Sequence, residues 1–123
     1  MEKILMKINE NLDYQYIIDR CNTLGSIYGE FDVPEEAGIS LKNISHVIKD
    51  LRIEYGYLIG DITILNTEKG RFLKDLIDNE IDISFQPRTN SSKIFTFDAS
   101  PYPYNDYGLM LRDLKIKRIM KKI

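Results

Sequence analysis

The sequence predicts an α+β fold: a small β-barrel or strongly curved antiparallel sheet, flanked by helices and followed by a basic C-terminal helix. Three observations carry this reading. Two β-branched runs, Ile44–Glu54 and Tyr57–Leu65, flank the dipeptide Tyr55-Gly56, the pattern of a two-stranded hairpin. Val47, Leu51 and Ile53 on the first run and Leu58, Ile62 and Ile64 on the second place apolar side chains on both faces in places, which suits a barrel or a sheet covered by helices. Finally, six basic residues between Arg112 and Lys122 stand against one acid, Asp113, among apolar residues at roughly helical spacing.

The remaining elements follow in order. Lys3 to Asn9 alternates loosely, with Ile4, Met6 and Ile8 against Lys3, Lys7 and Asn9, and reads as a half-buried strand. Asp13 can cap a short helix whose inner face carries Tyr16, Ile17 and Cys21, and Gly25 suits its left-handed stop. Ser26 to Asp32 reads as a strand running into a loop at Pro34 to Gly38, since proline removes a ladder donor. After the hairpin, Thr67 is an N-cap for a helix over Arg71 to Asn79, and Phe72, Leu73, Leu76 and Ile77 form one apolar stripe that packs in the core. Ile81 to Phe85 returns as strand, Asn90-Ser91-Ser92 turns, and Lys93 to Asp98 is a strand with Phe95 and Phe97 on one face. Ala99 to Asn105, with Pro101 and Pro103, is an extended loop. A helix starts near Tyr107.

Composition narrows the class. At 123 residues the chain holds one core, and 43% hydrophobic with 29% charged residues is ordinary for a soluble domain. A net charge of -2 and a pI near 5.4 argue against nucleic-acid binding by the whole chain. No apolar run approaches the roughly 20 residues that span a bilayer, and the first residues lack the apolar core of a signal peptide. One cysteine, Cys21, makes no disulfide within the chain. With one histidine and one cysteine no zinc site is expected, and neither Asp32, Glu35 and Glu36 nor Asp78, Glu80 and Asp82 has calcium-loop spacing. No metal and no cofactor is expected.

Two groups carry candidate chemistry. His46 and Ser84 are the pair that could make a serine–histidine hydrolase, because the chain has no second histidine, and a serine needs a base within hydrogen-bond reach. The alternative is a structural or surface histidine in a strand. The second group is a contact surface: Tyr102, Tyr104 and Tyr107 beside the prolines, then Arg112, Lys115, Lys117, Arg118, Lys121 and Lys122. Tyrosine gives contact area at low entropy cost, and the basic segment would meet an acidic protein surface or phosphate, or remain a solvated tail.

Four segments resemble the prohead maturation proteases of tailed phages: Gly29-Glu30-Phe31-Asp32-Val33-Pro34; Ser40 to His46; Gly60 to Thr67 with Gly70; and Phe95 to Pro101. In register they span about Ile27 to Pro103. The resemblance implies a small barrel flanked by helices, with a serine–histidine centre like that of herpesvirus assembly proteases. It divides the chain into a protease-like domain over 1–106 and a basic amphipathic helix or tail over 107–123. The departures fall on the reactive positions. Val33 stands where the family has its base, and Gln86 and Pro87 stand before Arg88 where it has its nucleophile, while His46 matches a second histidine of the family. The resemblance therefore implies a degenerate protease scaffold used as an auxiliary or decorating capsid protein. Its expected partners are capsid or other virion proteins, with homo-oligomers possible and no membrane. The expected location is the virion, after synthesis in the host bacterial cytoplasm. Two alternatives stay open: an active maturation protease using Ser84 and His46, and an internal capsid protein touching DNA through its basic tail.

Overall fold

In the computed structural model, which describes residues 1–31, 42–101 and 107–121, two antiparallel sheets and three helices alternate along the chain. The order is β1 (Glu2–Lys7), α1 (Tyr14–Leu24), β2 (Ile27–Glu30), β3 (Ile44–Glu54), β4 (Tyr57–Ile64), α2 (Glu68–Asp78), β5 (Ser84–Asn90), β6 (Lys93–Ser100) and α3 (Tyr107–Lys121). One sheet has the strand order β1-β4-β3-β2, and the other is the β5–β6 hairpin.

Local chemistry explains the boundaries. Asp13 accepts a hydrogen bond from the Tyr16 amide at the start of α1, and Gly25 ends the helix at φ 82° with its amide on the Cys21 carbonyl. Thr67 does two jobs at α2. Its hydroxyl oxygen accepts from the Gly70 amide at 3.0 Å while its proton goes to the Ile44 carbonyl, tying the helix to β3. Tyr55 and Gly56 both have positive φ (51° and 83°), the two-residue turn whose twist matches the strands it joins.

The apolar residues on both faces of the hairpin belong to two cores. Leu5, Leu58 and Ile62 pack with Ile17, Ile48, Leu73, Ile94 and Phe97 in the main core, beneath α1, α2 and the β5–β6 hairpin. Ile4, Tyr57 and Ile59 point the other way and are covered by Met110 and Leu114 of α3. The four-stranded sheet bends where both neighbours of β4 bulge. β1 gains a residue between Ile4 and Met6, and β3 between Lys49 and Arg52, with Asp50 at φ 51°.

Three expectations are corrected. No closed barrel forms among the described residues. Between β2 and β6 a single bridge, Phe31 to Ala99, is backbone pairing, and the rest of that seam is made by side chains. The Thr96 hydroxyl donates to the Tyr28 carbonyl at 2.6 Å, and the Glu30 amide donates to Asp98 Oδ1 at 3.1 Å. The strand expected over Ile81 to Phe85 begins only at Ser84 and continues to Asn90, because the turn after α2 (Glu80 at φ 63°) extends the connection through Ile83. Phe72 also leaves the core stripe: Leu73 is fully buried, whereas Phe72 is half exposed and rests edge-on against Phe31, with centroids 5.2 Å apart. The loop expected at Pro34 to Gly38 lies outside the described residues.

A helical glycine usually weakens its helix relative to alanine by about 1 kcal/mol. Gly70 is the opposite case, because a Cβ there would run into the Leu65 carbonyl and the Ser45 backbone oxygen. Gly70→Ala is expected to destabilise the fold by about 1–3 kcal/mol, read as a lower urea midpoint. An unchanged or raised midpoint would show that the Leu65–Gly70 approach is not tight.

Candidate functional site

β3 is covered on both sides, and that buries Ser45 and His46 completely. His46 Nε2 lies 2.8 Å from the Phe97 carbonyl oxygen, which can only accept, so Nε2 carries the proton. Burial draws the imidazole down to about 4, outweighing the opposing pull of that carbonyl. The ring is therefore neutral at pH 7, and Nδ1 must accept from the Ser45 hydroxyl at 2.7 Å. Gly29 makes room for this arrangement, since a Cβ there would overlap the imidazole and the Phe97 carbonyl.

The contact meets the hydrogen-bond geometry of a hydroxyl and its base, yet it lacks two requirements of nucleophilic catalysis. Both side chains are closed to solvent, and the basicity of the imidazole is far below the poise that suits a general base at neutral pH. From β5 the side chain that meets His46 is Phe85, edge-on at 5.0 Å between centroids. Ser84 stands beside Phe85 at the start of β5, opposite Ser100 and nearly buried. It borders a groove of about 670 Å3 that Lys3, Ile81, Ile83 and Tyr107 also line.

Next to this pair lies a buried ionic cluster. Arg88 is held by both oxygens of Asp98, through Nε at 2.9 Å and Nη2 at 2.7 Å, and Nη2 is also 3.3 Å from Glu30 Oε1. Glu30 is wholly buried and Asp98 nearly so. Burial works against the guanidinium charge, but the hydrogen bond and charge of Asp98 and those of Glu30 outweigh it and raise its affinity for its proton. Gln86 and Pro87, half-buried in mid-strand, lie opposite Asp98 and Phe97. Proline is tolerated there because β5 pairs on one side only. Val33 lies outside the described residues.

The other candidates are on or near α3. Tyr107 is half-buried, with Lys3 over its ring at 5.6 Å, and burial pushes its phenol up. Lys117 pairs with Asp113 at 2.9 Å and lies over Tyr57. Arg118 bridges Glu54 and Glu2 at 2.7 and 2.9 Å, and its hydrogen bonds hold both carboxyls below the ordinary range. Arg112, Lys115 and Lys121 are exposed and make no ion pair among the described residues. Tyr102, Tyr104 and Lys122 lie outside the described residues.

Sequence reasoning missed Glu30, Asp98 and Ser45. The adjacency of Ser45 to His46 was a visible signal. Asp98 alternates with Phe95 and Phe97 like any outward residue, so only the tertiary fold shows that its face of β6 is covered.

No family model and no curated protein matches the chain. Among solved structures it is similar to the bacteriophage T4 capsid assembly protease, with a TM-score of 0.61 and 14% identity over 81% of this chain and 79% of that one. The two share a protease-like fold.

Two outcomes are expected. The His46 ring should not titrate by NMR between pH 8 and 5. Because its proton affinity is lower folded than unfolded (ordinary value 6.5), it contributes stability above about pH 6.5 that is lost as pH falls toward 4, on the order of 3 kcal/mol. His46→Gln should lose stability at pH 7 and show a shallower pH slope than the parent, and an imidazole titrating near pH 6.5 would contradict this. Arg88→Met, which strands two buried carboxylates, should cost about 3–5 kcal/mol at pH 7 by denaturant titration. A cost below about 1 kcal/mol would mean that the cluster is solvated.

Proposed function

We propose that this chain is a capsid-protease-like scaffold without protease chemistry, acting by binding as an auxiliary or decorating protein of a phage particle. The observation that carries the reading is the state of its one histidine: neutral, fully buried, with one ring nitrogen on Ser45 and the other on the Phe97 carbonyl. A serine hydrolase needs an accessible nucleophile whose proton passes to a base of suitable strength. The residues at the family's reactive positions agree, since Val33 accepts no proton and neither Gln86 nor Pro87 has a nucleophilic oxygen or sulfur. The shared fold with a capsid assembly protease supports the phage-particle setting.

On this reading residues 1–106 form the protease-like domain, and 107–123, with Tyr102 and Tyr104, supply contacts to capsid or other virion proteins. The chain would be made in the host bacterial cytoplasm and remain in the virion.

The test has two parts. Purified protein treated with a serine-reactive fluorophosphonate should carry no label at Ser84 or Ser45, should not cleave the capsid or scaffold proteins of its own phage, and should be indifferent to Ser84→Ala. Mass spectrometry of mature particles should find the chain in fixed ratio to the shell protein. Labelling of Ser84, with a rate that follows the His46 titration, would overturn the proposal in favour of an active protease.

A further inference from the structure

α3 has two apolar sides, and the fold uses one of them. Met110 and Leu114 enter the second core. On the opposite side Leu109, Ile116, Ile119 and Met120 are 69%, 45%, 62% and 64% exposed. Relative to Leu109 they sit at i+7, i+10 and i+11, the spacing of a single straight seam that a second helix fills. Arg112 lies on the seam and Lys115 on its flank, and neither forms an ion pair among the described residues. Asp113, the acid of α3 itself, is held by Lys117 and by the Tyr57 hydroxyl at 2.6 Å, and Glu54 at the far end is held by Arg118. At the far end of the seam Met120 borders a shallow, open depression that Tyr55, Lys117 and Lys121 also line.

From this geometry we infer that the outward face of α3 docks an acidic amphipathic helix of a partner protein. The inference deepens the binding role proposed above and rests on it. Charge complementarity selects the occupant. In heptad terms Leu109 and Ile116 take equivalent seam positions, Arg112 and Ile119 the alternate ones, and Lys115 a flanking one. A parallel pair of copies would set Arg112 beside Arg112, and an antiparallel pair Lys115 beside Lys115, so a second copy is disfavoured. A partner with leucine-type residues on its seam and glutamates on its flanks covers the apolar residues, pairs Lys115 directly and offers Arg112, itself on the seam, a flanking carboxylate within the reach of its long side chain. Nucleic acid would leave the apolar seam uncovered.

The experiment uses the full chain and a synthetic helix about three heptads long, with leucine on its seam and glutamate at its flanking positions, alongside a twin carrying lysine at those positions. Calorimetric titration should show the glutamate helix binding about tenfold or more tighter than its twin. Ile116→Ser with Ile119→Ser should lose binding while the melting curve stays unchanged, as expected for exposed positions. Arg112→Glu with Lys115→Glu should reverse the preference. Equal binding of the two helices overturns the inference. So does tighter binding to phosphatidylserine vesicles or duplex DNA, or self-association that Ile116→Ser abolishes. Failure of the helix titration with no fluorophosphonate labelling removes this inference and leaves the inactive-scaffold reading standing. Labelling of Ser84 removes that reading, whatever α3 binds.

Discussion

The salt-bridged triplet of Arg88, Asp98 and Glu30 is the constraint on which the rest of the architecture depends. It sits where the two sheets meet, with one member on β2, one on β5 and one on β6. Among the described residues, backbone pairing across this seam is confined to one bridge. Asp98 fills the gap by accepting from both Arg88 and the Glu30 amide. Such a cluster is costly to desolvate, but it fixes geometry: a planar guanidinium gripped by both oxygens of one carboxylate admits little sliding. The relative position of the sheets, and hence the shape of the main core, is set there.

The same seam determines the state of His46. Phe97, one residue before Asp98, places its ring in the core and its carbonyl against Nε2. Gly29, one residue before Glu30, leaves the space that the imidazole occupies. A histidine enclosed in this way contributes to structure as a neutral, doubly hydrogen-bonded group. Opening it to solvent would require parting β2 from β6.

Much of the frame was legible in the sequence, because it rests on local chemistry. Tyr55-Gly56 demanded a tight hairpin, Asp13 and Thr67 announced caps, and Gly25 a left-handed stop, and all four behave so. What was not legible depends on distant partners. The pattern of β3 and β4 showed two covered faces but not that a helix far along the chain covers one of them. Ile81 and Ile83 are strand-favouring residues, yet no strand among the described residues offers them a ladder. At the candidate site the residue types were visible but their pairing was not. His46 finds its immediate neighbour Ser45, and Arg88, which entered only as an alignment landmark, closes the ionic cluster.

The separation of the two cores has a consequence for how the molecule opens. The cluster beneath α3 is small, and β4 keeps Leu58 and Ile62 in the main core whatever happens above Tyr57 and Ile59. Detaching α3 alone would expose only the smaller cluster, a smaller cost than opening the whole fold. The helix is held by the Met110 and Leu114 contacts, by the Tyr57 hydroxyl on Asp113, by Lys3 over the Tyr107 ring and by Arg118 on Glu2 and Glu54. Amides of the helix would then exchange through partial openings while those of the central strands wait for the whole fold to come apart.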